Sequence, residues 1–214
     1  MEARTMKEKF DIKTGTQDSV LSYISNIIRD PEVASIAPTS VFGIKRIFSG
    51  IDLSRCGLFI EFGPGGGVIT KYVLSQLPVN SRLVAIENNP DFARALAEEI
   101  KDERLIVIEG SAADVVFHIE KLYSEQLIES NRADYIVSGI PFSMFPPTLK
   151  DTILKGTLSV LSDNGAFLVY QFLISLSIGQ QDIKNKLLEY FSITRSNIEM
   201  RNIPPLRIFE AKKR

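Results

Sequence analysis

Short apolar runs and amphipathic stretches alternate through most of the chain. Apolar runs predict strands, and apolar residues recurring every three or four positions predict helices. The predicted strands are 57–62, 82–87, 104–108, 133–138 and 165–172, and the predicted helices are 68–77, 90–101, 112–128, 146–162 and 176–190. Two more strand runs, Ile193 to Met200 and Leu206 to Ala211, flank a proline-containing turn. This order is typical of an α/β fold with a doubly wound, mostly parallel seven-stranded sheet and a C-terminal antiparallel hairpin.

The first 50 residues predict N-terminal helices in front of this sheet. Apolar residues recur at helical spacing over 16–29, and Thr39 or Ser40 can cap a second helix from Val41 to Phe48. We expect residues 1–50 to form a helical segment packed on a domain spanning 51–214, within a single-domain protein. The alternative for the first helix is to lie in a membrane interface.

Composition and charge are those of an ordinary globular protein, with 44% hydrophobic and 24% charged residues. The 25 basic residues are balanced by 26 acidic ones, so we expect no stable nucleic-acid complex. Basic residues near the C-terminus favour a solvated tail, with a local binding patch as the alternative: Arg201, Arg207, Lys212, Lys213 and Arg214. With one cysteine and no apolar stretch of roughly 20 residues, we expect a cytoplasmic protein that can rest on the inner membrane surface.

A glycine-rich turn follows the first predicted strand of the sheet, in the sequence Glu61-Phe62-Gly63-Pro64-Gly65-Gly66-Gly67. Glycine accepts positive φ and lets a ligand approach the backbone, and the N–H groups of the following helix attract polar groups. The second strand ends at Glu87, where a carboxylate suits a ribose diol. Because Glu61 would repel a pyrophosphate, a ligand with a positive end fits this turn better.

These two motifs resemble those of the class I S-adenosylmethionine-dependent methyltransferases. That family has the pattern Glu-x-Gly-x-Gly-x-Gly and an acid ending the second strand, and the resemblance covers roughly residues 36 to 211. It implies a Rossmann-like methyltransferase fold and S-adenosylmethionine as the cofactor, and we expect no metal site. The implied cofactor-binding residues are Glu61, Gly63, Pro64, Gly65, Gly67, Glu87, Asn88, Ser111, Ala112 and Ser138.

The ends of the third and fourth strands depart from the adenine-methylating members of this family. Ser111 stands where the family usually has an acid that meets the adenine amine, and Asp114 either takes that contact or caps the next helix. Methyltransferases of planar amines carry Asn-Pro-Pro-Tyr or Asn-Leu-Pro-Tyr after the fourth strand, whereas Gly139 replaces that asparagine here. A planar amine would lose a hydrogen bond worth about 1 kcal/mol.

The segment Ser138-Gly139-Ile140-Pro141-Phe142-Ser143 instead resembles the bacterial phospholipid N-methyltransferases, which convert phosphatidylethanolamine towards phosphatidylcholine. Those enzymes also have an Ala-Pro-Ser/Thr-Ser turn, matched by residues 37–40, and an acid-Asn-Pro-Asp-Phe segment, matched by residues 87–92 with one insertion. The resemblance implies N-methylation of a phosphatidylethanolamine-type head group. We predict catalytic residues at Ser138, Pro141 and Phe142, and substrate contacts from Pro38, Thr39, Ser40, Phe142 and Tyr170.

Other acceptors and roles remain open at this point. The ribosomal-RNA adenine dimethyltransferases share the overall pattern, a small amine is another candidate substrate, and a non-catalytic nucleotide-binding protein is the alternative from a different class. No general base is evident, since His118, the sole histidine, falls inside a predicted helix. Phe142, Phe145 and Tyr170 either surround a methylated ammonium through cation–π contacts or pack in the core.

Overall fold

A computed structural model describes residues 39–173 and 183–214. The predicted helix at 16–29, Pro38 and the start of the predicted helix at 176–190 lie outside the described residues. The strands are β1 Leu58–Phe62, β2 Arg82–Glu87, β3 Leu105–Glu109, β4 Ala133–Ser138, β5 Leu161–Phe172, β6 Ser192–Glu199 and β7 Leu206–Lys212. The helices are α1 Val41–Ile47, α2 Val68–Leu74, α3 Pro90–Glu99, α4 Val115–Ser124, α5 Pro147–Val160 and α6 Ile183–Tyr190.

The strands form one seven-stranded sheet in the order β3-β2-β1-β4-β5-β7-β6. β1 to β5 are parallel, and β7 runs antiparallel to both β5 and β6. The predicted fold class, with its C-terminal antiparallel hairpin, is confirmed. The strand order reverses between β1 and β4, and in open α/β sheets such a reversal opens a crevice beyond the carboxyl ends of the strands.

Helices cover both faces of the sheet, and this explains why its central strands are continuous apolar runs. Every residue of β1 is buried. One face packs against α4 and α5 through residues such as Val115, Ile119 and Leu154. The other packs against α1, α2 and α3, for example through Ile47 and Val73. The central strands are thereby held rigidly beneath the loops at their carboxyl ends.

Several predicted element boundaries shift, and the helix predicted at 68–77 ends at Leu74. The helix predicted at 146–162 ends at Val160, and β5 begins at Leu161, which pairs with Ala133 before a register irregularity between Ala133 and Tyr135. The helix predicted at 112–128 begins as a short 3-10 turn and ends at Ser124. Gln126 has a φ of 59°, a left-handed conformation that cannot continue a right-handed helix.

The predicted solvated C-terminal tail is wrong for Arg207 and Lys212. Both lie in β7, which is hydrogen-bonded between β5 and β6. Beyond β7, Lys213 pairs with Asp163 at 3.0 Å. The strand is internal because its apolar residues, including Ile208 and Phe209, fill the core.

The short helix α1 is joined to the turn between β6 and β7. The N–H of Ser40 donates to Asn202 Oδ1 at 2.7 Å, and a side chain on Gly43 would collide with Leu206. The division of the chain into residues 1–50 and 51–214 stays a prediction. Within the part of the chain that the structure describes, no helix has the length and apolar character needed to cross a bilayer.

Candidate active site

The glycine turn after β1 is shaped by backbone conformations that other residues adopt at a cost. Gly63, Gly65 and Gly67 have φ values of 69°, 51° and 71°. A Cβ on Gly67 would lie 2.5 Å from Leu96 Cδ1, whereas a Cβ on Gly66 would meet nothing within 4 Å. The turn therefore needs glycine at alternate positions, as the motif predicts, and α2 begins immediately after it.

Glu87 at the end of β2 is tied to this turn. Its Oε2 accepts a hydrogen bond from the N–H of Gly65 at 3.0 Å, and its Oε1 accepts one from Asn89 at 2.9 Å. The side chain is only 8% exposed. Each carboxylate oxygen has a second lone pair, so Glu87 can still accept two hydroxyl hydrogens from a diol. Asn88, next to it, is exposed.

Glu61 is a residue of β1, two positions before the turn, and its side chain is buried. Its Oε2 accepts a hydrogen bond from Thr70 Oγ1 at 2.7 Å. Burial raises the pKa of Glu61 to about 8, and the nearby Glu87 carboxylate raises it further while the Thr70 hydroxyl opposes the shift. Burial therefore disfavours the carboxylate charge on which the predicted repulsion of a pyrophosphate depends. A cation bound nearby would favour its ionised form.

The end of β4 contributes Ser138 to the same edge of the sheet. Ser138 pairs in register with Phe62 of β1, and its hydroxyl is completely buried. Its Oγ makes no hydrogen bond to any described residue. A buried hydroxyl without a partner normally costs stability, so this atom is a candidate contact for a bound polar group.

Tyr170 of β5 occupies the space that a side chain at position 139 would need. A Cβ on Gly139 would lie 2.3 Å from Tyr170 Oη. The phenol is 8% exposed, hydrogen-bonds to the side chain of Thr39 and lies close enough to Glu61 for that carboxyl to raise its pKa, although burial is the larger cause of the increase. The Tyr170 hydroxyl from the neighbouring strand thus occupies the space into which a side chain at position 139 would extend.

No protein-family model matches this chain. It is 30% identical over 136 residues to the ornithine lipid N-methyltransferase of Singulisphaera acidiphila, a match that covers 63% of this chain and 68% of that protein. The chain belongs to the class I S-adenosylmethionine-dependent methyltransferases. It is also 31% identical over 108 residues to ribosomal RNA small subunit methyltransferase A of Laribacter hongkongensis, across 50% of this chain and 37% of that one.

Solved structures agree with this assignment at the level of the fold. The glycopeptide N-methyltransferase MtfA, solved with S-adenosylmethionine, superposes on this methyltransferase with a TM-score of 0.60. The match has 11% sequence identity and covers 81% of this chain and 87% of that one. The family membership shown by the 30% identical relative makes the protein an enzyme that uses S-adenosylmethionine, and the likeness to MtfA supports the fold.

The residues gathered beyond β1, β2 and β4 fit this cofactor. Gly66 is the turn position with open space around it, Glu87 has free acceptor positions for ribose hydroxyls, and the buried Glu61 carboxyl would suit a cationic group. The buried Ser138 hydroxyl is an orphan that a polar ligand atom would satisfy. Within the turn, Pro64 is buried beside Gly65.

The predicted adenine side of the site is less complete. Ser111 Oγ accepts a hydrogen bond from Ala113 N–H at 3.1 Å and so caps the short turn Ala112–Asp114. Its hydroxyl hydrogen remains available to a ligand. Asp114 is exposed and its side chain makes no capping hydrogen bond to α4, so the capping role is wrong.

His118 lies in a helix, as predicted, but its ring reaches the end of β3. Although it belongs to α4, its Nε2 would lie 2.7 Å from a Cβ on Gly110, directly after β3. Nε2 is buried and has no partner among the described residues, and burial lowers the pKa of the ring. The one sequence feature that could have indicated this contact is the spacing of eight residues between Gly110 and His118. That spacing brings the two residues together only because the 3-10 turn Ala112–Asp114 leads back into α4.

Several predicted substrate residues have structural partners of their own. Phe142 is fully buried and packs edge-on against Phe145 with ring centres 6.2 Å apart, which favours the core-packing interpretation. Pro141 begins the short turn Phe142–Met144. Ser40 Oγ accepts from Gly43 N–H and caps α1, as predicted. Of the predicted substrate residues, Thr39 and Tyr170 are the two that meet near Gly139.

Proposed function

We propose that this methyltransferase methylates the primary amine of a membrane-lipid head group of the phosphatidylethanolamine type. The observation that carries the proposal is the pairing of Gly139 with Tyr170, which puts a phenol beside the strand end where enzymes of planar amines carry an asparagine. The similarity to a protein named as an ornithine lipid N-methyltransferase supports a lipid amine as the acceptor. The aromatic edge formed by Tyr170 and Phe172, with ring centres 6.4 Å apart, suits the methylated ammonium that the reaction produces.

S-adenosylmethionine, when bound, would supply a methyl group on a sulfonium: an amine lone pair would attack the methyl carbon in line while the carbon–sulfur bond breaks and a neutral thioether leaves. The chain's own contribution is to orient the amine and exclude water. The hydroxyl oxygens of Ser138 and Tyr170 can accept hydrogen bonds from the amine N–H groups and aim its nitrogen. An alkylammonium with a pKa near that of lysine must lose a proton first, and the buried setting of Tyr170 favours the neutral amine over the cation.

In this proposal Glu61, the glycine turn from Gly63 to Gly67, Glu87 and Ser111 hold the cofactor, and Thr39 positions Tyr170. The hydrogen bond from Thr39 and the contact with Phe172 fix the phenol on two sides. Tyr170 is thus a specificity residue for the acceptor, whereas the residues after β1 and β2 act on the cofactor alone.

The proposal is tested by labelled methyl transfer to four acceptors: phosphatidylethanolamine vesicles, ornithine lipid, ribosomal RNA and small alkylamines. We expect label in the lipid fractions. Tyr170→Phe should lower lipid turnover by about 5- to 10-fold, the value of one neutral hydrogen bond, with unchanged S-adenosylmethionine affinity. Tyr123→Phe on the exposed face of α4 is the matched control. Label found only in RNA or only in small amines would refute the lipid acceptor.

Ribosomal-RNA adenine methylation is the second candidate, because one relative at 31% identity is named for ribosomal RNA methylation. This reaction requires that another group accept the hydrogen bond from the adenine amine that an asparagine amide accepts in those enzymes, because position 139 is a glycine here. The RNA arm of the same assay distinguishes it.

A further inference from the structure

An apolar surface lies beyond the carboxyl end of β5, where the turn between β6 and β7 meets the start of α1. We call it the turn surface. Its members are Val41, Phe42, Leu173, Met200 and Ile203, which are 64%, 48%, 37%, 69% and 66% exposed. Large apolar side chains that are exposed one by one need no explanation, but several of them on segments that lie side by side suggest an interaction site.

Hydrogen bonds hold the three segments of the turn surface together. Asn202 accepts from Ser40 N–H at 2.7 Å and donates to Pro204 O at 2.6 Å, which joins α1 to the turn. The N–H of Leu173 donates to Pro205 O at 2.7 Å, which joins the end of β5 to the same turn. The Arg201 guanidinium lies 4.6 Å from the centre of the Phe42 ring. The apolar side chains are therefore presented together by one fixed framework.

The charge around the turn surface is positive, although the whole chain carries a formal charge of −1. Residues 39–47 and 199–209 contain four bases, Lys45, Arg46, Arg201 and Arg207, and a single acid, Glu199. Glu199 is buried, bonded to Arg201 at 2.8 Å and 3.8 Å from Arg46. Exposed apolar side chains on segments that also carry an excess of basic residues complement the apolar interior and the anionic surface of a bilayer.

We infer that the turn surface docks this methyltransferase on an anionic lipid bilayer. The inference rests on the proposed function and deepens it, because β5 carries Tyr170 and ends beside the turn surface. A lipid amine could then reach Tyr170 from a docked enzyme without leaving the membrane. An RNA would bind the basic side chains and stack on the Phe42 ring, but it would gain little from the aliphatic side chains of Val41, Met200 and Ile203. A bilayer would bind both the basic and the aliphatic side chains, so it explains more of the turn surface.

The test is co-sedimentation of the full chain with vesicles, without S-adenosylmethionine, at low and high salt. One set of vesicles contains phosphatidylglycerol, and the other contains phosphatidylcholine alone. We expect the double variant Met200→Asp/Ile203→Asp to bind phosphatidylglycerol vesicles at least 10-fold more weakly than the unchanged protein. Val79→Asp, on a residue 80% exposed before β2, should change binding less than 2-fold. Cofactor affinity by calorimetry verifies that each variant is folded.

Three results would overturn the inference. The double variant and Val79→Asp could bind vesicles equally well, the unchanged protein could bind RNA and no vesicle, or the double variant could dissociate a dimer without affecting vesicle binding. The last result would assign the turn surface to a second copy of the chain.

Failure of this inference can be told apart from failure of the proposed function. Vesicle binding that depends on Met200 and Ile203, with no methyl transfer to any lipid, would keep the docking surface and remove the lipid substrate. Methylation of detergent-dispersed lipid by a protein that does not bind vesicles would keep the lipid substrate and remove the docking surface.

Discussion

The end of β1, which we call the cofactor end, and the end of β5, which we call the acceptor end, lie at the same edge of the sheet. The first is formed mainly by backbone and the second mainly by side chains. After β1 the backbone makes the site, because Gly63, Gly65 and Gly67 hold left-handed conformations with almost no side-chain atoms. At the end of β5 side chains make it, because Tyr170 reaches across to Gly139. Changes of backbone shape should therefore abolish cofactor binding, whereas changes at Tyr170 should alter the acceptor reaction and leave the cofactor bound.

The largest effect is expected for Gly67→Ala. The new Cβ would meet Leu96 Cδ1 at 2.5 Å while φ stays at 71°, a conformation costing about 1–3 kcal/mol for residues other than glycine. We expect loss of more than about 100-fold in S-adenosylmethionine affinity, measured by calorimetry, because relief of the clash distorts the turn. Gly66→Ala is the matched control and should bind normally. Equal affinity of the two variants would contradict the claim that the backbone shape of the glycine turn determines cofactor binding.

Glu87→Ala should weaken S-adenosylmethionine binding by about 10- to 100-fold, the value of hydrogen bonds to a charged group. The substitution also removes the acceptor of the Gly65 N–H. Glu109→Ala is the control, since Glu109 is the register partner of Glu87 on β3 and is exposed. A larger loss for Glu109→Ala than for Glu87→Ala would contradict the assigned cofactor side.

The third prediction concerns pH and Glu61. Because burial raises its pKa to about 8 from the ordinary 4.5, the folded protein keeps a proton that the unfolded chain releases between these values. The free energy of unfolding should therefore fall as pH rises through this range, by up to about 1.4 kcal/mol per pH unit. Glu61→Gln should lack this component.

Urea unfolding of both proteins from about pH 5 to about pH 8.5 measures the difference. His118, whose pKa is lowered, acts in the opposite direction but equally in both proteins. Parallel stability curves would show that Glu61 is ionised in the folded protein.

The smallest effect is expected for Gly139→Ala at the acceptor end. Its methyl group would lie 2.3 Å from Tyr170 Oη and push the phenol aside, so acceptor turnover should fall by about 5- to 10-fold, as for loss of one hydrogen bond. S-adenosylmethionine affinity should change less than about 2-fold, since the glycine turn is untouched. Gly57→Ala, where the nearest atom is an ordinary 3.5 Å away, is the control. A matching loss of cofactor affinity would mean that the two ends are not separable.

The sequence by itself determined the fold class, the order of the strand-end motifs and the cofactor. Continuous apolar runs separated by amphipathic helices admit few arrangements other than a parallel sheet. The glycine turn and Glu87 restrict the choice of ligand to S-adenosylmethionine through their resemblance to the methyltransferase motifs. Boundaries near residues 112 and 161 were missed because apolar periodicity continues through them, while a 3-10 turn and the pairing of Leu161 with Ala133 decide where the elements end.

Only the tertiary structure decided which side chains share the acceptor end. Gly139 follows β4 and meets Tyr170 of β5, and Gly110 follows β3 and meets His118 of α4, so both contacts depend on register and packing that local sequence does not encode. Burial likewise decided that the pKa of Glu61 is raised and that Phe142 belongs to the core. Periodicity reports which face of an element is apolar, whereas the loss of water around one particular group depends on everything packed against it.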